Sequence, residues 1–270
     1  MKFDVQGRTA YAYTGGKPWG AGERCVVFIH GALNDHSVWT LLARWYAHHG
    51  YRVLALDQPG HGRSDGPPLA SVEALADWVI ALLDAAGVAS AHLVGHSMGS
   101  LIALEAASRA PGRVAGLVMV GTAVPMRVSD ALLGTARDDP ARAIAMVNAF
   151  SHSGLASKPS YPGPGAWLRG GASALMHRMQ ETAALENPGN LFEHDFRVCD
   201  AYANGLEAAA RVTCPAHLLV GTRDVMTPPK ATKALAALLR APVSRIISGH
   251  ALMQEAPDAV LNALRQAIPA

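Results

Sequence analysis

The chain has 270 residues, of which half are hydrophobic and 16% are charged, and its 23 Lys and Arg residues nearly balance 21 Asp and Glu residues. This composition predicts a folded chain with a sizeable apolar core, because disordered chains combine low hydrophobicity with high net charge. The basic residues form no cluster, so we expect no nucleic-acid partner. No apolar stretch reaches the roughly 20 residues that cross a bilayer, and the chain starts without a leader pattern, so we expect no membrane insertion.

The three cysteines lie far apart in the chain, at Cys25, Cys199 and Cys214, and no two of them form a C-x-x-C pair. An odd number of widely spaced cysteines predicts neither a disulfide framework nor a zinc site. The cysteine pattern therefore favours a reducing, cytoplasmic location. The oligomeric state is left open by the sequence.

Six short apolar runs rich in β-branched residues predict strands, and amphipathic stretches between them predict helices. Strands that are apolar on both faces belong in a parallel sheet covered by helices on both sides. A hairpin near the start adds an antiparallel pair, so the predicted fold class is α/β with a doubly wound, mostly parallel sheet of about eight strands. The predicted strands are residues 25–30, 51–57, 91–96, 114–121, 216–221 and 244–248, and the predicted helices are residues 38–49, 71–86, 98–110, 230–240 and 257–267.

The alternation of strands and helices stops in residues 122–210, which contain helical patterns and no strand pattern. We interpret this segment as a helical cap that is inserted after the sixth strand into a core formed by residues 1–121 and 211–270. Within the cap, residues 154–171 are rich in Gly and Pro and are predicted to form no regular element. This stretch is either a mobile flap or a connecting loop.

The strongest chemical signal is Gly95-His96-Ser97-Met98-Gly99, which follows a predicted strand and precedes a predicted helix. In that context the G-x-S-x-G pattern is typical of a sharp turn that exposes a nucleophilic serine at the carboxyl edge of a sheet. His96 is not a candidate base, because neighbouring side chains on a turn point in different directions. The pattern predicts Ser97 as the nucleophile.

A serine hydroxyl is a weak nucleophile at neutral pH and needs a histidine base oriented by an acid. Asp224 follows the predicted strand 216–221, and His250 follows the last predicted strand, 244–248. Both residues are therefore expected at the same sheet edge as Ser97, in the chain order serine, acid, histidine. We predict Asp224 as the acid and His250 as the base.

Attack on a carbonyl leaves negative charge on its oxygen, which backbone N–H groups can stabilise by several kcal/mol. The N–H of Met98, directly after the nucleophile, is one predicted donor. The second is expected in the loop after strand 25–30, where the N–H of Ala32 is the first choice and that of Leu33 the second.

Five further sequence motifs are HGALNDHSVW (30–39), LDQPGHGRSD (56–65), GHSMGS (95–100), TCPAHLLVGTRDVMTP (213–228) and GHALMQEAP (249–257). Through these motifs the chain resembles the α/β-hydrolase family, specifically its capped serine hydrolases. The resemblance implies a nucleophile at Ser97, an acid at Asp224, a base at His250 and oxyanion N–H groups at Ala32 and Met98. It covers about residues 1–121 and 211–270, whereas the cap matches only in position. Ser100 stands where many relatives have Gly.

These residues predict hydrolysis through an acyl-enzyme, in which a small-molecule ester acylates Ser97 and water releases the acid. The cap contains seven basic and nine acidic residues and so offers no cationic trap, which favours small to medium, mostly uncharged acyl groups. One alternative is cleavage of a carbon-carbon bond in a vinylogous diketone, and another is a hydrolase-like receptor with little turnover. No metal-ligand spacing and no nucleotide motif occurs, so no metal and no cofactor are expected.

Overall fold

A computed structural model of the chain describes residues 1–20, 24–154, 164–186 and 189–268. Its strands are β1 (Lys2–Val5), β2 (Arg8–Tyr13), β3 (Cys25–Ile29), β4 (Arg52–Leu56), β5 (Ala91–His96), β6 (Val114–Val120), β7 (Ala216–Gly221) and β8 (Val243–Ile246). They form one sheet in the order β1-β2-β4-β3-β5-β6-β7-β8. Strand β2 is antiparallel to both of its neighbours, β1 and β4, and all neighbouring strands from β4 to β8 are parallel. The doubly wound, mostly parallel sheet of eight strands is thereby confirmed.

Helices pack on both faces of the sheet, as the fully buried residues of β3 require. The helices are α1 (Thr40–His48), α2 (Val72–Ala85), α3 (Met98–Arg109), α4 (Asp130–Asp138), α5 (Pro140–Ser151), α6 (Pro164–Glu186), α7 (Leu191–Ala201), α8 (Gly205–Arg211), α9 (Lys233–Leu239), α10 (Leu252–Glu255) and α11 (Pro257–Ala267). One face of the sheet carries α2, α3, α8 and α9, and the other carries α1, α10 and α11.

The helices α4 to α7 follow β6 and form the expected insertion between β6 and β7. Their apolar side chains make a cluster of their own, which includes Ile144, Met176 and Phe192. The helical insertion after the sixth strand is therefore confirmed. The boundaries 122 and 210 stay a prediction, and α8 packs through Ala208 and Ala209 in the apolar cluster that contains α2 and α3.

The prediction that residues 154–171 form no regular element is wrong for its second half, because α6 begins at Pro164. Proline fits the first position of a helix, where its missing N–H has no intrahelical partner to lose. Gly170 and Gly171 lie inside α6, and nothing lies within 4 Å of a Cβ atom at either position. Residues 155–163 lie outside the described residues, so both interpretations of this stretch, a mobile flap and a connecting loop, stay predictions.

Within the described ranges, no helix combines the length and the hydropathy needed to cross a membrane. Cys25, Cys199 and Cys214 are free thiols.

Candidate functional site

Ser97 stands at the turn between β5 and α3 with φ 52° and ψ −121°, a conformation that costs most non-glycine residues energy. Two glycines make the turn possible. A Cβ atom on Gly99 would overlap the carbonyl oxygen of Ile29, and one on Gly95 would overlap the carbonyl oxygen of Gly99. The Ser97 N–H donates to the carbonyl oxygen of Val120 at 2.9 Å. The predicted G-x-S-x-G pattern thus forms a tight strand-to-helix turn at the carboxyl edge of the sheet.

Ser100, the departure from the family pattern, takes part in holding this turn. Its hydroxyl donates to the carbonyl oxygen of Ser97 at 2.6 Å and lies 2.7 Å from the hydroxyl of Thr122. Ser100 and Thr122 are buried, and the two contacts satisfy the polar atom that serine adds at this position. The substitution is therefore compatible with the turn.

Asp224 and His250 follow the strands β7 and β8 and are joined by a hydrogen bond of 2.8 Å between His250 Nδ1 and Asp224 Oδ2. Because a carboxylate only accepts hydrogen bonds, Nδ1 carries the proton. The other carboxylate oxygen, Oδ1, accepts from the N–H groups of Met226 and Thr227, each at 2.8 Å. The carboxylate is thus fixed by the loop that follows β7, and it fixes the imidazole in turn.

Thr227 is a member of this arrangement that sequence reasoning missed. Its hydroxyl donates to Asp224 Oδ2 at 2.6 Å and lies 3.1 Å from His250 Nδ1. Burial alone would raise the pKa of Asp224, but the charge of His250 and the hydrogen bonds from His250 and Thr227 hold that pKa below its ordinary value. The sequence does contain a signal for Thr227. The side chain of an Asp in a turn often accepts hydrogen bonds from the residues that follow it, and Thr227 lies three residues after Asp224.

Ser97 and His250 face the same cavity at this edge of the sheet. The Ser97 hydroxyl has no hydrogen-bond partner among the described residues. Hydrogen bonds of catalytic groups are often long without substrate and tighten when it binds. The structure therefore brings the serine, the base and the acid of the sequence prediction to one site, while their catalytic roles stay predictions.

The two predicted oxyanion donors flank Ser97. Met98 is the first residue of α3, so its N–H has no intrahelical acceptor. Ala32 lines the cavity beside Ser97, and neither of these N–H groups has a partner in the part of the chain that the structure describes. The N–H of Leu33, the second choice in the loop, donates to Asp195 Oδ2 at 2.8 Å. Of the two candidates in this loop, that bond leaves the N–H of Ala32 available to a substrate oxygen.

His96 lies closer to the base than the sequence indicated. Its Nε2 is 2.9 Å from the carbonyl oxygen of His250, and the two rings are 4.8 Å apart between centroids. Burial and the neighbouring His250 lower the pKa of His96 to about 3, so its ring is neutral and donates to that carbonyl. His96 therefore supports the backbone of the predicted base through this bond.

The cavity around Ser97 and His250 has two parts, which we call the inner and the outer chamber. The inner chamber has a volume of about 50 Å³ and the outer chamber about 330 Å³. Ala32, Ser97 and His250 belong to both, so the candidate site lies where they meet. The inner chamber is lined by Asn34, His152, Gln254, Ala172, Met176 and Met253, and the outer by Met126, Val128, Leu132, Met146, Phe150 and Val225.

The walls of both chambers carry little charge. Arg127 is the only Arg, Lys, Asp or Glu among the described residues that line the chambers. Its side chain is 70% exposed. Its guanidinium donates to the carbonyl oxygen of Asp200 at 3.3 Å. Within the described part of the chain, no three His, Cys, Asp or Glu side chains are grouped to hold a metal ion.

Comparison with known proteins adds to this geometry. Residues 24–257 match the profile of the alpha/beta hydrolase fold family. The solved enol-lactonase from Burkholderia xenovorans LB400 is similar over the whole of both chains, with a TM-score of 0.81 and 20% identity. This likeness concerns the fold.

Curated relatives match over shorter stretches. The dihydrolipoyllysine-residue acetyltransferase component of the acetoin cleaving system from Cupriavidus necator is 39% identical over 132 residues, which are 48% of this chain and 33% of that protein. A 2-hydroxy-6-oxononadienedioate/2-hydroxy-6-oxononatrienedioate hydrolase from Paraburkholderia phymatum is 37% identical over 107 residues, 38% of this chain and 37% of that protein. The matches thus span about a third of these relatives, whose names refer to different reactions.

Proposed function

Because the chain belongs to the α/β-hydrolase fold family, we propose that it is a serine hydrolase that cleaves carboxylic esters of small to medium, mostly uncharged acyl groups. Ser97 is the nucleophile, His250 the general base and Asp224 the residue that orients the base. The N–H groups of Ala32 and Met98 bind the oxygen that becomes negatively charged. The observation that carries the proposal is the strained Ser97 in the same cavity as the imidazole of a 2.8 Å His250–Asp224 pair.

In the proposed reaction, the Ser97 oxygen attacks the ester carbon while its proton moves to His250 Nε2. The π electrons of the carbonyl move to its oxygen, which accepts hydrogen bonds from the two N–H groups. When the carbonyl reforms, the bond to the alkoxy oxygen breaks, and the alcohol leaves with the proton from His250. A water molecule then attacks the acyl-enzyme by the same route and releases the acid and free Ser97.

The proposed substrate scope rests on the walls and sizes of the two chambers. A chamber of about 330 Å³ is at the lower end of ligand sites and suits one medium-sized apolar group, and the inner chamber of about 50 Å³ suits a small one. The dioate named for the Paraburkholderia relative carries two carboxylates. Here an exposed Arg127 that is bonded to a carbonyl is the one described lining side chain with a fixed positive charge. This contrast favours uncharged substrates.

The test is a panel of p-nitrophenyl esters from acetate to dodecanoate, with a vinylogous diketone as comparator. We expect hydrolysis that peaks at short to medium acyl lengths and exceeds cleavage of the diketone. Ser97→Ala should lower kcat by about 10⁴-fold or more, as loss of a nucleophile does. The matched control is Ser90→Ala, at an exposed serine before β5. Ester hydrolysis that survives Ser97→Ala would contradict the mechanism, and faster cleavage of the diketone would replace the ester assignment.

A further inference from the structure

A second His–Asp pair lies buried where the insertion meets the core. Asp195, on α7 of the insertion, contacts His61, in the loop that follows β4, with 2.9 Å between Asp195 Oδ2 and His61 Nε2. Both side chains are 2% exposed. The pair belongs neither to the proposed triad nor to the walls of the two chambers.

Hydrogen bonding fixes the charge state of this pair. Besides the carboxylate on Nε2, His61 has the carbonyl oxygen of Pro59 3.1 Å from Nδ1. Both neighbours only accept hydrogen bonds, so both ring nitrogens donate and the ring is an imidazolium. Burial alone would lower the pKa of His61, but the charge and hydrogen bond of Asp195 raise it. Asp195 and His61 are thus a buried ion pair.

The same carboxylate oxygen binds the loop that carries the proposed oxyanion donor. Asp195 Oδ2 accepts the N–H of Leu33 at 2.8 Å. Leu33 has φ 54°, in the left-handed region that a branched residue adopts only when its surroundings enforce it. Its side chain is 1% exposed and packs in the apolar cluster of the insertion. The conformation of Leu33 is therefore set by the insertion, and Ala32 is the residue directly before it.

We propose that Asp195 is a positioning residue: with His61 it holds the Leu33 N–H and thereby aims the Ala32 N–H at the substrate oxygen, so that the oxyanion site is complete only when the insertion is docked. This inference rests on the proposed function of Ala32. Without its hydrogen bond, a strained Leu33 can adopt other backbone conformations. A change of this kind turns the peptide that joins Leu33 to Ala32 and shifts the Ala32 backbone, which sets the direction of the Ala32 N–H. A displacement of about 1 Å in an oxyanion donor lowers kcat by about 10- to 100-fold.

The first test needs no substrate. Amide hydrogen exchange of the peptide that covers residues 30–36 should become faster in Asp195→Ala. The control is Tyr202→Phe, which removes a buried 2.6 Å bond from the Tyr202 hydroxyl to Glu105, next to the end of α7. Exchange in this peptide should stay at the wild-type rate in Tyr202→Phe. An unchanged rate in Asp195→Ala would overturn the proposal, even for a protein that hydrolyses no ester in the panel.

The second test measures binding of the oxyanion itself. A trifluoromethyl ketone forms a bond from its carbonyl carbon to Ser97 Oγ, its oxygen takes the π electrons, and the serine proton moves to His250. Asp195→Ala should weaken this inhibitor and lower kcat by the same factor, about 10- to 100-fold. Binding of the corresponding trifluoromethyl alcohol, which forms no oxyanion, should change less than about twofold. Equal weakening of ketone and alcohol would indicate a disturbed chamber and overturn the proposal, as would an unchanged ketone.

Two further variants protect the test against unfolding. Asp195→Ser, whose hydroxyl is too short to reach the Leu33 N–H, replaces Asp195→Ala if the latter does not fold, with the same expected results. Asp195→Asn keeps one acceptor oxygen and should return kcat to within about threefold of the wild type. A wild-type protein that neither cleaves the esters nor binds the ketone would refute the proposed function alone, because hydrogen exchange still decides the role of Asp195.

Discussion

The pairs Asp224–His250 and Asp195–His61 have the same chemical groups at almost the same distance, 2.8 and 2.9 Å, and both are buried. They differ at the second nitrogen of the imidazole. His250 Nε2 has no hydrogen-bond partner among the described residues and faces the cavity, whereas the second nitrogen of His61 is bound to the carbonyl oxygen of Pro59. One ring can therefore accept a proton from a substrate or a serine, and the other cannot.

This difference shows that the role of a His–carboxylate pair depends on what the second nitrogen of the imidazole contacts. A ring with a free nitrogen is ready for proton transfer, and a ring with two acceptors is a fixed cation that joins two parts of a fold. The first pair joins two loops at the carboxyl edge of the sheet. The second joins the insertion to the loop that follows β4, and Asp195 also accepts the Leu33 N–H from the loop of Ala32. Three predictions can break or sharpen this comparison.

The largest effect is expected from the same substitution made in each pair. His250→Gln should lower kcat by about 10⁴-fold or more, since it removes the proposed base. His61→Gln should lower kcat by about tenfold and the free energy of unfolding by about 3 kcal/mol, because it leaves a buried carboxylate without its cation. Steady-state ester hydrolysis and urea unfolding measure both quantities. Equal losses of kcat in the two variants would mean that the free nitrogen is not what distinguishes the pairs.

The second prediction concerns pH, where the ionic pair has a defined window. The pKa of His61 is raised above its ordinary 6.5, so its contribution to stability is complete below pH 6.5 and is lost as the pH rises through the folded-state pKa. Burial alone would raise the pKa of Asp195, but the charge of His61 and the bonds from His61 and Leu33 lower it below 3.8. Its contribution is therefore complete above pH 3.8 and is lost as the pH falls through the lowered value.

The measurement is the free energy of unfolding of the wild type minus that of His61→Gln/Asp195→Asn, taken from pH 4 to 9. The difference should be largest between about pH 4 and 6.5 and should shrink as the pH rises through the raised pKa of His61. A difference that stays constant across this range would show that the buried pair is not ionic.

The sequence predicted the fold because its signals are local. Each core strand is a short apolar run. The serine turn is marked by Gly95 and Gly99, because a Cβ atom at either position would overlap a backbone carbonyl oxygen. The sequence also placed Asp224 and His250 at one sheet edge, since residues that follow parallel strands meet there. It failed at Pro164, where a proline that begins a helix was interpreted as a loop residue.

The contacts that escaped the sequence are those between distant segments. Asp195 and His61 are 134 positions apart, and no spacing rule connects a residue of an inserted helix with a loop of the core. Leu33 illustrates the same limit, because its left-handed conformation depends on a carboxylate that only the folded insertion supplies.

The smallest effect is expected at a second contact between the insertion and the loop of Ala32. Arg178, on α6, lies 2.8 Å from Asp35, but its side chain is 59% exposed. The Asp35 carboxylate also accepts from the N–H of Ser37 at 2.8 Å and therefore keeps a partner when the arginine is removed. Arg178→Ala should lower the free energy of unfolding by less than about 1 kcal/mol and change kcat by less than about twofold.

The baseline for Arg178→Ala is Arg197→Ala, which removes an exposed ion pair with Glu193 on α7, away from the loop. If Arg178→Ala lowered kcat as strongly as Asp195→Ala, any contact between the insertion and the loop would serve to position Ala32. Burial of the Asp195–His61 pair would then have no special role. A kcat equal to that of Arg197→Ala would instead indicate that Ala32 is positioned by Asp195, the buried acceptor of the Leu33 N–H. The exposed Arg178–Asp35 pair would contribute little because water and salt screen it.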